Sequence, residues 1–375
     1  TGLKKGNVED INLTSEAIRE SLYDVRRKTD LPVRSAYIGI TGAHVTFDNK
    51  VDYFDSVGGK GVITSEEVDR IPDLVSAGSG SVGRKVIHAL PKTYRVDGYN
   101  GISNPTGMHA SGLEVSSHVV TAGASFVKDL ESAVTSAGLS VKGMVLEPLA
   151  SSEAILTQKE KERGAAIVDI GGGTTDIVSF KKGAIDYTSV IPVGGFQFTN
   201  DICITYNTSF YDAEQIKLKY ANTEPASIDM REEFTLPVIN SKSLTTVYRR
   251  DLCQLMRERT LELIRLIDLK LQQAGVRQDA SAQIVMTGGA STMPGFFDMA
   301  QQFIPNCSIR MGAPDHLAGM SEELEAPAYS TGVGILLYGF RQEISAEKTA
   351  LSQVRGTGNN GDGGLLDRIK RIFNF

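Results

Sequence analysis

The order of apolar and polar positions divides the chain into elements of different texture. Residues 14–28 carry Ile18, Leu22 and Val25 on one helical face, with Thr14 or Ser15 able to cap. Residues 33–41 alternate as a strand that ends at Gly42. Between 43 and 122 the pattern shortens. Strand-like pieces at 86–90, 94–96 and 118–121 surround glycine-rich turns, and an acidic helix begins near Thr64, the texture of a small inserted α+β module. Residues 125–137 form an amphipathic helix through Phe126, Val127, Leu130 and Val134, followed by a strand over 141–146. Glu147-Pro148 then opens a helix, proline being favoured in its first turn.

Residues 165–193 read as three strands that turn at Gly171–Gly173 and at Lys182-Gly183. Helices are predicted at 196–206 and 212–221, then a polar, irregular stretch over 222–245. A long helix over 247–274 follows, with Leu252, Leu255, Leu263, Ile264, Ile267 and Leu271 inward. Strand 283–287 runs into Gly288-Gly289-Ala290 and a further helix. Residues 328–340 form a small-residue helix, and 342–364 read as a flexible glycine-rich linker. The last eleven residues, 365–375, are amphipathic. Leu365, Leu366, Ile369, Ile372 and Phe373 fall on one face, and Arg368, Lys370 and Arg371 on the other.

Composition narrows the classes. The 375 residues are 41% hydrophobic and 22% charged, ordinary for a globular chain with room for two domains. A net charge of −6 argues against broad nucleic-acid binding. The three cysteines, Cys203, Cys253 and Cys307, form no C-x-x-C and point to a reducing compartment without a zinc site. No run of 18 apolar residues occurs, so no transmembrane helix is expected.

Candidate chemistry starts at Asp169-Ile170-Gly171-Gly172-Gly173-Thr174-Thr175-Asp176. Three glycines bare the backbone N–H groups to an anion, and an acid before them can position a hydrated divalent cation. The alternative is a plain hairpin turn. Thr287-Gly288-Gly289-Ala290 gains meaning beside it, since paired glycines let a flat ligand approach a helix N-terminus. Glu214 and Lys217 share a helical face, which alone reads as a solvated ion pair. Glu147 either orients a water for attack on a phosphate or simply complements its helix dipole.

Taken in order, these motifs resemble the actin/Hsp70/sugar-kinase ATPase superfamily. Within it the match is to the FtsA family of bacterial cell-division actin homologues. Asn104-Pro105-Thr106-Gly107, Leu149 to Ala154, Val193-Gly194-Gly195 with Thr199 to Ile202, and Tyr329 to Gly334 carry that closer likeness.

The resemblance implies an α/β, actin-like fold of two lobes with RNase H-like halves. The first lobe would comprise 1–42, 123–163 and 328–341, with an FtsA-type subdomain inserted at 43–122. The second would comprise 164–205 and 281–327, with an outer subdomain at 206–280. It implies ATP and Mg²⁺ in the cleft. Gly171, Gly172, Gly173, Thr174, Thr175 and Gly195 would lie along the phosphates, Glu214 and Lys217 at the ribose or adenine edge, and Gly288, Gly289 and Ala290 along the adenosine. Asp169 would act on Mg²⁺ through water, with Glu147 positioning water for at most slow hydrolysis.

As partners it implies the FtsZ C-terminal peptide on the outer subdomain, where Arg249, Arg250, Arg257 and Arg259 offer a basic surface. It also implies self-association into filaments, later division proteins on 43–122, and an anionic membrane surface for 365–375. The place would be the cytoplasmic face of the cell membrane at the division site. The family's first phosphate loop, an Asp-x-Gly-Thr hairpin, does not precede Val33. About 40 residues of the first lobe are therefore expected to be absent, leaving an exposed sheet edge and impaired ATP binding. Two other readings share the fold: a sugar-kinase-like or chaperone-like enzyme, and a pilus-type actin homologue.

Overall fold

The computed structural model describes residues 2–55, 57, 61–241, 243–279 and 281–356. The chain opens on a hairpin, β1 (Leu3–Lys4) and β2 (Asn7–Val8), followed by α1 (Ile11–Thr29). Asp10 starts α1 by accepting the Leu13 N–H at 2.9 Å, and Arg26, Arg27 and Lys28 complement its C-terminal dipole. Next come β3 (Ser35–Ile40), β4 (Thr46–Phe54), α2 (Ser65–Ala77), β5 (Arg84–Val96), β6 (Tyr99–Ile102) and β7 (Leu113–Gly123). A capping box between Thr64 and Glu67 fixes the start of α2. α3 (Ala124–Ser136), β8 (Ser140–Leu146), α4 (Glu147–Ile155) and α5 (Gln158–Arg163) lead to β9 (Ala165–Ile170), β10 (Thr175–Lys181) and β11 (Ala184–Ile191). The chain continues with α6 (Gly195–Tyr206), α7 (Phe210–Tyr220), β12 (Glu233–Pro237), β13 (Leu244–Tyr248) and α8 (Arg249–Gln273). It closes with β14 (Gln283–Thr287), α9 (Phe296–Phe303), β15 (Ser308–Met311) and α10 (Ser330–Gly356).

The central sheet has the order β11-β10-β9-β14-β15, antiparallel within the β9–β10–β11 meander and parallel from β9 through β14 to β15. All six residues of β9 are buried, because helices cover both faces. Alternation sorts its side chains. Ala166, Val168 and Ile170 face the core under α8, whereas Ala165 and Ile167 face the core shared with α4. In β10, Ile177 joins the first core and Val178 the second. Asp169 and Asp176 therefore point to the side where α4 and α10 pass between the lobes.

The inserted module is a four-stranded antiparallel sheet, β4-β7-β5-β6, closed by α2 over its own core of Ile63, Ile71, Val75, Leu113 and Val115. β3 and β8 pair in parallel, and β3 meets no further strand among the described residues.

Several details differ from the sequence reading. The pieces at 86–90 and 94–96 belong to one strand, β5, whose alternation is broken by register shifts at Val86/His88 and Pro91/Thr93. The stretch 222–245 is not irregular, since it holds β12 and the start of β13, a hairpin that buries Phe234, Leu236 and Val247 on its inner face. α10 continues to Gly356, so 342–356, read as the start of a flexible linker, is helical. The rest of that linker, 357–364, and the amphipathic segment 365–375 lie outside the described residues.

Candidate functional site

The turn after β9 is held from beneath by α6. The N–H of Gly171 donates to Thr174 O at 2.9 Å. The N–H groups of Gly195 and Phe196 donate to Gly171 O at 2.9 Å and Gly172 O at 2.6 Å. Thr175 donates its hydroxyl to Val193 O at 2.8 Å. Close approach makes Gly194 necessary, since a β-carbon there would stand 2.6 Å from Gly171 O and 2.9 Å from Thr174 N. Gly172, at the crest, faces open space. This is an anchored loop with its outer side free for an anion.

Four separated segments meet beside it. A methyl on Gly195 would lie 3.6 Å from Ala290 Cβ, 3.6 Å from Lys217 Nζ and 3.7 Å from Gly172 Cα. Lys217 Nζ donates to Glu214 Oε2 at 2.8 Å, to Thr199 Oγ1 at 2.8 Å and to Gly195 O at 3.2 Å. Thr199 also donates to Glu214. The pair is thus built into the wall and is not a loose solvated contact. Gly288 has φ +88°, and a β-carbon there would collide with the Ile170 backbone and approach Asp169 Oδ1 to 2.5 Å. Gly289 faces Ala328, 3.5 Å from its β-carbon.

The acids gather on the other side of the turn. Asp169 Oδ2 accepts the hydroxyls of Ser151, from α4, and of Thr331, from α10 at 2.8 Å. Burial raises its pKa, and these two hydroxyls oppose the rise. Asp176 accepts from Thr174 at 2.7 Å and from Thr41 at the end of β3, and burial pushes it up to about 7. Glu147 keeps a little solvent access, yet burial and the carboxylates of Asp176 and Asp169 push it up to about 8. Gly39 makes room for it, with a would-be β-carbon 3.0 Å from Glu147 Cγ. Among the described residues no three His, Cys, Asp or Glu side chains stand close enough together to hold a metal ion directly.

Sequence reading nominated Asp169 and Glu147 but missed Asp176, Thr41, Ser151 and Thr331. The available signal was that Asp169 interrupts an apolar strand and that Asp176 lies directly across the hairpin from it, in a fully buried stretch of β10. The turn at Lys5-Gly6, which rests on Gly173, was also missed.

Arg249, Arg250, Arg257 and Arg259 of α8 are not alike. Arg249 pairs with Glu232 at 2.8 Å and donates to Tyr220 O at 3.0 Å. Arg257 donates to Thr223 O at 3.0 Å. Arg259 holds Asp201 with two bonds of 2.6 and 2.9 Å and also meets Glu262. Arg250 alone of the four lines an open cleft of about 520 Å³ with Met230, Arg231, Glu233, Tyr248 and Asp251. Leu365, Leu366, Arg368, Ile369, Lys370, Arg371, Ile372 and Phe373 lie outside the described residues.

Residues 166–334 match the family described as cell division protein FtsA, and residues 42–121 match the SHS2 domain inserted in FtsA. The cell division protein FtsA of Pseudomonas aeruginosa is 32% identical over 377 residues, covering 99% of this chain and 88% of that protein. The chain belongs to the FtsA family. FtsA of Escherichia coli K12 is 30% identical, covering 92% of this chain and 83% of its own length. FtsA of Bacillus subtilis is 31% identical, with coverages of 91% and 76%.

Among solved structures, the PilM–PilN type IV pilus biogenesis complex aligns with a TM-score of 0.61 at 17% identity, covering 90% of this chain and 88% of that one. MreB5 of Spiroplasma citri bound to ADP aligns at 0.53 and 12% identity, covering 92% and 80%. These likenesses show the actin-like fold and nothing finer. No helix among the described residues is long and apolar enough to cross a membrane.

Proposed function

We propose that this FtsA-family chain binds ATP and Mg²⁺, polymerises, and tethers FtsZ filaments to the cytoplasmic face of the cell membrane, where it recruits later division proteins. The observation that carries the nucleotide part is Gly195, which brings Gly172, Lys217 and Ala290 within reach of one methyl group. The open side above Gly172 suits phosphate. The Glu214–Lys217 pair suits a ribose or base edge, and the Gly288–Ala290 turn suits the flat face of an adenosine.

The acids fit a hydrated cation. Asp176 and Glu147, pushed up to about 7 and about 8, gain from any positive charge placed near them. Mg²⁺ ordinarily keeps several waters and takes only one or two carboxylates plus phosphates, so a direct protein cage is not required. The bound nucleotide would supply phosphate charge that draws the lobes together. Ser151 and Thr331 would keep Asp169 oriented, and Glu147 would hold or take a proton from a nearby water. Nucleotide acts here mainly as a conformational ligand.

Calorimetric titration with Mg²⁺–ATP tests this part, with Lys217→Ala expected to weaken binding about tenfold, the scale of one charge-assisted contact. No measurable binding by the unaltered chain would refute it. The FtsZ part rests on Arg250 and its cleft, which suit an acidic, partly apolar peptide. Arg250→Glu should lower affinity for the FtsZ C-terminal peptide in fluorescence anisotropy, and unchanged affinity removes Arg250 from the site. The membrane part is read by liposome co-sedimentation. Deleting 365–375 should abolish lipid binding, an outcome that a kinase-like, chaperone-like or pilus-type reading does not predict.

A further inference from the structure

The turn joining β1 to β2 is a two-residue hairpin with both central residues at positive φ, Lys5 at 49° and Gly6 at 79°. Asparagine or glycine is the ordinary choice for the first of these positions, and lysine is not. The turn rests directly on the phosphate turn. A β-carbon on Gly173 would come 3.2 Å from Lys5 Cα, 3.2 Å from Lys5 N and 3.6 Å from Gly6 N. Gly6 is clamped from behind, where a β-carbon would meet Thr41 O at 2.9 Å and Gly42 N at 3.0 Å. Thr41 in turn donates its hydroxyl to Asp176. The N–H groups of Lys5 and Gly6 donate to no carbonyl among the described residues. The Lys5 side chain is exposed and makes no ion pair among them, whereas its neighbour Lys4 pairs with Glu9 at 3.7 Å.

A lysine without an ion pair, on a four-carbon stem, is thus rooted against Gly173, next to the crest at Gly172, where a β-carbon would meet nothing within 4 Å. We propose that the Lys5–Gly6 turn is the second wall of the phosphate site. Lys5 neutralises the terminal phosphate of the bound nucleotide, and so sets the preference for the triphosphate over the diphosphate. This rests on the nucleotide reading above. Two backbone N–H groups that pair with no carbonyl, and one ammonium carried by the same turn, match the needs of a terminal phosphate, which carries the most charge per oxygen. The β and α phosphates, nearer Gly195 and Lys217, would not feel the loss.

The test titrates the 375-residue chain and two variants with Mg²⁺–ATP and with Mg²⁺–ADP by calorimetry. Lys5→Asn keeps a residue that tolerates the left-handed turn and removes the charge, while Lys5→Arg keeps the charge. Lys5→Asn should weaken ATP about tenfold or more and leave ADP within about twofold, and Lys5→Arg should recover most of the ATP affinity. Equal loss for both nucleotides, or no loss, overturns the assignment of Lys5 while leaving the nucleotide reading intact. Failure of the unaltered chain to bind either nucleotide sinks both. Melting curves of the three proteins establish that the turn has not unfolded.

Discussion

Replacing Gly334 by alanine would place a methyl group where α10 crosses α4. A β-carbon at Gly334 would overlap the Ala150 carbonyl outright and come 3.0 Å from Ser151 N. Ordinary carbon-to-carbonyl contacts are about 3.3 Å or longer, so the two helices would have to part by roughly 1 Å. Both are fully engaged and neither can yield alone. Leu149, Ala150, Ala154 and Ile155 of α4 and Val333 of α10 belong to one core with Val145, Ile167 and Val178. Overpacking of this kind costs about 1–3 kcal/mol, and direct overlap with backbone sits at the upper end.

The cost should also reach the site, because Ser151 and Thr331, which share Asp169 Oδ2, ride on opposite sides of this crossing. Gly332 is the internal control. It lies on the same helix, two residues away, with nothing within 4 Å of its would-be β-carbon. Alanine there removes a helix-weakening glycine and should be neutral or gain up to about 1 kcal/mol. Urea melts of the two variants should therefore differ by roughly 2–4 kcal/mol. If Gly334→Ala proves as stable as Gly332→Ala, the close crossing is not what holds the two lobes in register.

Gly194→Ala should lower stability by about 1–3 kcal/mol through its clash with the Gly171 and Gly172 carbonyls, and should weaken any nucleotide binding more than it weakens the fold. Arg259→Ala should cost about 1–3 kcal/mol in chemical denaturation, because it strands the half-buried Asp201 carboxylate, and it should leave FtsZ-peptide affinity unchanged. The acids and histidines set opposite pH limbs. Glu147 and Asp176 hold protons in the fold to about pH 8 and about pH 7, whereas unfolded carboxylates ionise near pH 4, so stability should fall as pH rises across that window. Glu147→Gln should flatten that limb by an amount on the order of 2 kcal/mol in melts from pH 5 to 9. Buried His88, lowered to about 4, should produce the acid limb, with stability lost as pH falls from about 6.5 through about 4.

The second lobe was the most legible part of the chain. β9 and β14 carry short apolar runs and α8 a regular helical spacing of apolar residues, and these patterns survive because each element packs on a continuous core. The glycine turn at 171–173 was legible as a turn because it joins two strands that pair directly across it. The inserted module was located but poorly resolved, since Pro91 and two register shifts scramble the alternation of β5. Along β4, exposed Val51 and Tyr53 alternate with polar residues, so apolarity does not mark its inner face there.

What sequence could not give was convergence. Asp169 and Asp176 are seven apart across a hairpin, and their register pairing places them directly opposite each other on adjacent strands. That pairing alone puts two carboxylates on the same face of one sheet, where like charges repel. The fold tolerates it by giving each acid two hydroxyls from different parts of the chain, Ser151 and Thr331 for one, Thr41 and Thr174 for the other. Three of those four hydroxyls come from elements outside the second lobe's sheet and the turn it carries. The acids are thus fully satisfied only when the lobes are together, and a charged ligand placed in the cleft would act on the same contacts that join them. A ligand-dependent change in the angle between the lobes would follow from that arrangement, because every hydroxyl it moves is one that an acid must then replace.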